Sequence, residues 1–195
     1  SVATVANRNY GTVGGITVVG AKFASSGGEI SGIVSHNFGI VENCSVSGEF
    51  TLYATGMQSQ ACYEAAGITT ENLCGGHVRG CYVPSLTVKG EYCKGSGNVY
   101  YCNMRTAGGI VSVNRDGGTV ENCGFSSIAM INALCNCDGN AGGFEWGGIV
   151  AYNAGTVMKG TAALGNFVWN GTAVTADIGA DGNAATEQLG RLVGK

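Results

Sequence analysis

Five times along the chain a Gly is followed two residues later by a Val: Gly11-Thr12-Val13, Gly39-Ile40-Val41, Gly76-His77-Val78, Gly118-Thr119-Val120 and Gly155-Thr156-Val157. These valines are 28, 37, 42 and 37 residues apart. A fixed local pattern at irregular spacing marks a constant coil that carries insertions of variable length. The pattern extends downstream. Three residues after each Val come Ile16, Cys44, Cys81, Cys123 and Gly160, and two further on come Val18, Val46, Val83, Phe125 and Ala162. Columns that stay apolar or small in every copy are the inward positions of stacked strands.

A second strand pattern lies upstream: Gly32-Ile33-Val34, Gly67-Ile68-Thr69, Gly109-Ile110-Val111, Gly148-Ile149-Val150 and, less regularly, Arg191-Leu192-Val193. Four of these strands are followed three residues later by Asn37, Asn72, Asn114 and Asn153. Asn and Gly accept the positive φ of a corner, and a buried Asn amide bonds backbone at a bend. Stacked corners would let each Asn amide bond the next coil, an expected Asn ladder. The fold expected is all-β: a right-handed parallel β-helix (β-solenoid) of about five coils with long loop insertions, and residues 1–195 as one domain. Composition agrees. The chain holds 35 Gly and one Pro, 12% charged and 45% hydrophobic residues, too apolar for a solvated coil and suited to short strands with tight turns.

The recurring Gly-Gly-Ile-Val-x-x-Asn-x-Gly-x-Val-x-x-Cys, clearest at Gly108–Cys123 and partial at Gly32–Cys44 and Gly147–Gly160, resembles the GLUG repeat. That repeat occurs in bacterial surface adhesins, filamentous-haemagglutinin-like proteins and the non-catalytic regions of immunoglobulin A proteases. The resemblance covers nearly the whole chain and implies a scaffold at the cell surface or outside the cell rather than a reaction. The nine cysteines and the insertions between Gly48 and Gly67 and between Pro84 and Gly108 depart from it.

Asn7-Arg8 before Gly11 matches Asn114-Arg115 before Gly118, which aligns Ser1 near Gly108, while Gly190–Lys195 matches Gly147–Tyr152. The chain is therefore expected to start and stop in one strand, with no polar cap at either end. Uncapped coils expose strand edges that template further pairing. The function expected is that of an extracellular structural protein, a subunit of a head-to-tail filament or a segment of a surface fibre. Val2, Val5, Leu192, Val193 and Gly194 are its assembly ends, and its first partner is another copy of itself. The alternative is an adhesin or carbohydrate-binding module for surface carbohydrate or host protein. There Tyr100, Tyr101, Phe144, Trp146 and Trp169, in or beside insertions, would be the displayed aromatics.

Cys44, Cys81 and Cys123 share one inward column and read as small buried hydrophobes. Cys93 lies 15 residues after Val78 and Cys135 lies 15 after Val120, which makes Cys93–Cys135 the first disulfide to expect. An oxidising compartment suits nine cysteines without common zinc spacings. The acids look scattered: Glu42 and Glu121 share a phase without a recurring basic partner, and His36 and His77 sit near corners as solvent-facing residues. No nucleophile elbow, zinc-protease helix or phosphate loop is present, so no catalysis, cofactor or metal is expected. Asp138-Gly139-Asn140 and Asp181-Gly182-Asn183 read as plain turns, with calcium as the lesser reading. A net charge of −3 offers no field for nucleic acid, and no apolar run is long enough to span a bilayer.

Overall fold

A computed structural model describes residues 1–25, 28–53, 62–91, 93–94, 99–100, 103–131, 144–158, 161–175, 187–190 and 192–194. Among them there is no helix. The chain runs repeatedly through four parallel sheets stacked in rungs, the arrangement of a β-solenoid. The first sheet takes Val2–Ala3, Glu29–Ser31, Cys62–Ala66, Asn103–Gly108, Phe144–Gly147 and Glu187–Gly190 in that order. The second takes Ala6–Asn9, Val34–Asn37, Thr69–Asn72, Val111–Asn114 and Val150–Asn153. The third takes Thr12–Gly14, Ile40–Glu42, His77–Arg79, Thr119–Glu121 and Thr156–Val157. The fourth holds the longest strands, among them Thr17–Ser25, Ser45–Tyr53, Leu86–Glu91, Gly124–Ile131 and Ala162–Trp169.

The expected columns follow the register. Val13, Val41, Val78, Val120 and Val157 pair in succession, and the three central valines are fully buried. Ile33, Ile68, Ile110, Ile149 and Leu192 form a backbone ladder in which each amide bonds the next carbonyl, and Val5 donates to Ile33 at the near end. Two alignments need correction. Phe125 pairs with Ala163 and not with Ala162, because the last repeat carries one extra residue before its fourth-sheet strand. Asn9, not Asn7, pairs with Asn37, so the first strand begins with Ser1 level with Thr106 rather than Gly108. At the other end Gly190 does pair with Gly147 and Val193 with Val150.

The Asn ladder forms, and it is one residue longer than expected. Asn9 donates to Asn37 at 2.9 Å, Asn37 to Asn72 at 2.9 Å, Asn72 to Asn114 at 2.8 Å and Asn114 to Asn153 at 2.7 Å. Each amide also donates to turn carbonyls, as Asn72 does to Gly76 and Thr119. Every buried amide group along the line is thereby paired, which is what makes a polar column tolerable inside an apolar stack. A separate corner column takes positive φ just before Ile16 and the three column cysteines: Gly15 at 70°, Asn43 at 52°, Gly80 at 61° and Asn122 at 51°.

One glycine column is dictated by contact. A Cβ on Gly67 would lie 2.1 Å from the Gly109 carbonyl oxygen, and one on Gly32 would lie 2.0 Å from that of Gly67. The strand of the next rung passes too close for any side chain.

Candidate functional site

The concave corner between the first and second sheets gathers the most chemistry. Glu29, Glu64, Thr106 and Glu145 are level with one another on successive rungs of the first sheet. His36, Glu71, Val113 and Tyr152 are level on the second. The two rows face each other. Thr70 Oγ1 donates to Glu29 Oε2 at 3.4 Å, Ser112 Oγ donates to Thr106 Oγ1 at 2.7 Å, and the hydroxyls of Ser31 and Ser35 lie 3.3 Å apart. Ser35, Thr70 and Ser112 are fully buried in the angle, so small hydroxyl residues are what let the sheets close on each other.

Charges alternate along this groove. His36 Nε2 sits 3.5 Å from Glu29 and 3.7 Å from Glu71, and Arg115 forms a close ion pair with Glu71. His36 is therefore a groove residue and not the solvent-facing one expected, because the corner folds it between two carboxylates. Further along, Glu64, Arg105, Thr106, Val113, Arg115, Glu145 and Tyr152 line a cleft of about 310 Å³. Burial, then the neighbouring Glu71 and Glu29, push the Glu64 carboxyl up to about 7 against the pull of Arg105 and Arg115. Its Oε2 is buried without a hydrogen-bond partner among the described residues. Arg105 is exposed at the cleft mouth.

The assembly-end residues lie where a solenoid exposes its edges. Val2–Ala3 and Ala6–Asn9 are end strands of the first and second sheets, with Val5 between them and exposed. Leu192 accepts from Ile149 and Val150, Val193 bridges Val150, and Gly194 donates to Val150. The far edge of the fourth sheet is different. Asn170 and Gly171, with φ of 47° and 84°, turn the chain back so that Thr172–Ala173 pairs antiparallel with Val168–Trp169. On that side a two-residue hairpin strand, neither a polar helix nor a charged segment, pairs along the outer edge of the last long strand.

Of the five aromatics, Trp146 is fully buried in the inward column that also holds Ile30, Ala65 and Ala107. No ligand reaches it without opening the stack, so it is a core residue and not a displayed one. The small alanines of the preceding rungs leave room for its indole. Trp169 is half-buried with its ring 5.7 Å from that of Trp146. Tyr101 lies outside the described residues, and Tyr100 and Phe144 are described as backbone only, each in a first-sheet or insertion strand.

Cys44, Cys81 and Cys123 are buried free thiols in one column, and Cys74 is a free exposed one. The Cys81 sulfur beside it, and then burial, push the Cys44 thiol up, and Cys81 itself is pushed up to about 12, foremost by Cys123. Cys93 is described as backbone only and Cys135 lies outside the described residues, as do both Asp-Gly-Asn turns. Glu42 has a basic partner, Arg79, which bonds it through two nitrogens at 2.8 and 2.7 Å and stands level with Glu121 on its other side. Among the described residues no group of three or more His, Cys, Asp or Glu is placed to hold a metal, and no helix is long and apolar enough to cross a membrane.

No family model, curated protein or solved structure matches the chain.

The row of groove acids was missed in the sequence because their numbers look unrelated. A signal was present: Glu29, Glu64, Thr106 and Glu145 each stand eight residues before a ladder asparagine.

Proposed function

We propose that the chain is a segment of an extracellular or cell-surface structural fibre, built as a right-handed solenoid of about five coils and extended by stacking further coils on its open edge. The observation that carries this is the run of matched ladders, valine, isoleucine and asparagine, through five successive rungs to an end row outside which none of the described residues pairs. In that row Val5 and Tyr10 are exposed, and Val13, Ile16 and Val18 are only partly covered. An apolar row with unpaired backbone groups is a template for one more coil. The sense of the ladder adds direction. Every Asn amide donates from the Ser1 side towards the far side, so Asn9 is the residue whose carbonyl side faces an incoming rung. Parallel crossovers of this kind are overwhelmingly right-handed in other sheets, which supports the handedness.

The hairpin at Thr172–Ala173 favours a fibre segment closed on that side over a filament of identical copies joined head to tail. The likeness to GLUG repeats supports a surface location and a scaffold without catalysis. The test is light scattering over a concentration series with negative-stain microscopy, for the wild type and Val5→Lys. A limited association of two copies meeting at their open rows, which Val5→Lys abolishes with thermal unfolding unchanged, is the expected result. Association that survives Val5→Lys but is lost with a Lys at Leu192 would place the joint at the other end. A monomer at all concentrations would sink self-stacking and leave the row to a different chain.

A further inference from the structure

We infer that the cleft between the first and second sheets is a binding site for an uncharged oligosaccharide, with Glu64, Arg105, Thr106 and Tyr152 as its contact groups. The site is separate from the stacking edge and from the aromatics of the insertions. Its volume, about 310 Å³, lies at the lower end of small-ligand pockets, which run from roughly 300 to 1,000 Å³. Its lining is rich in groups that bond hydroxyls in both senses. Glu64 and Glu145 accept, Arg105 donates, and Tyr152 brings an aromatic ring to the same wall. Two acids nearly balance two guanidinium groups, with Glu64 divided between its charged and neutral forms near pH 7. A polyol therefore meets donors and acceptors without a charge penalty, whereas a uronic acid would bring its carboxylate up to Glu64 and Glu145.

Two further observations point to a ligand rather than to a self-satisfied surface cluster. The buried Glu64 Oε2 has no partner among the described residues, a cost of about 1–3 kcal/mol that a bonded hydroxyl would relieve. Its neighbours do not supply one: Arg115 is turned to Glu71, and the Thr106 hydroxyl, which accepts from Ser112, gives Oε2 no bond and keeps its own proton for a ligand. The geometry is also linear. Glu64, Thr106 and Glu145 stand on three successive rungs, spanning two strand spacings or about 9.6 Å along the stack, which suits a chain-like sugar lying in the groove.

The test is a titration of the purified chain by calorimetry with neutral hexasaccharides of glucose, xylose, mannose and galactose, and with oligogalacturonate as the charged comparison. At least one neutral hexasaccharide is expected to bind. Glu64→Gln and Arg105→Ala should each weaken it at least tenfold, and Arg79→Ala, an exposed residue of the third sheet, should not. Tyr152→Ala, at the rim, serves as a third variant should either of the first two unfold, and should also weaken binding at least tenfold. Binding to no neutral sugar, binding to oligogalacturonate alone, or neutral binding indifferent to the cleft variants would each overturn the proposal.

Discussion

The ladder asparagines show how much a single side chain does here. Asn72 donates to Asn114 while accepting from Asn37, so Asn72→Ala strips partners from two buried amides at once. The expected loss is roughly 2–4 kcal/mol in a urea titration, against about 1 kcal/mol for Asn9→Ala, which has a ladder neighbour on one side only. Equal losses at both positions would mean that the ladder is incidental. Glu64 acts in the opposite direction. Its carboxyl titrates near 7 in the fold against an ordinary value of 4.5, so between these values the folded chain binds more protons than the unfolded one. Stability from this group is therefore present at acid pH and falls as pH rises from about 4.5 through 7. Glu64→Gln should flatten that fall and melt higher than wild type at pH 8, with little difference at pH 4; parallel melting curves at both pH values would argue against a buried carboxyl. The thiols make a third case. Iodoacetamide at pH 8 should label Cys74 on the native chain and spare Cys44, Cys81 and Cys123 until urea is added, because all three are buried out of reach of the reagent and neighbouring sulfurs also hold Cys44 and Cys81 protonated.

At the scale of elements, glycine and the hairpin decide where strands can lie. Gly67→Ala puts a methyl group against the Gly109 carbonyl, whose strand is fixed by its own ladder, and should cost about 3 kcal/mol. Gly11, with nothing within 4 Å of its notional Cβ, should accept Ala almost freely, which gives an internal control in the same thermal scan. The Asn170-Gly171 turn is the other sensitive element. Gly171→Val forces a β-branched residue to φ near 84°, so Thr172–Ala173 should detach and uncover the edge of Val168–Trp169. A cap predicts that this variant associates at lower concentration than wild type in light scattering. An unchanged profile would mean that the hairpin shields nothing.

On the scale of the whole molecule, a stack of rungs distributes its stability along one axis. Val78→Asp places an unpaired charge in the middle of the core and should unfold the chain or cost more than about 3 kcal/mol, whereas Val13→Asp in the partly covered end row should cost far less. Denaturation monitored by circular dichroism separates the two, and similar losses would contradict a one-dimensional stack.

The columns, the asparagines and the Cys44–Cys81–Cys123 line were legible because each depends on local pattern repeated in register, and stacking forces equal residues to equal places. The slip to Ala163 and the misplacement of Asn9 mark the limit of that reasoning: a local difference of one residue in the first case, or two in the second, is invisible until backbone pairing shows it. Trp146 looked like a loop aromatic because it borders a long insertion, yet its parity on the strand turns it inward onto Ala107. The groove was decided by tertiary structure alone. Its acids and arginines come from separate repeats, and only the angle between two sheets brings the Glu64 and Glu145 row against Arg115 and Tyr152. Sequence by itself determined the stacked β architecture, because period and parity are local properties. Which charges meet, and which edge is closed, followed from corner geometry and a reversed hairpin, which act between residues far apart in the chain.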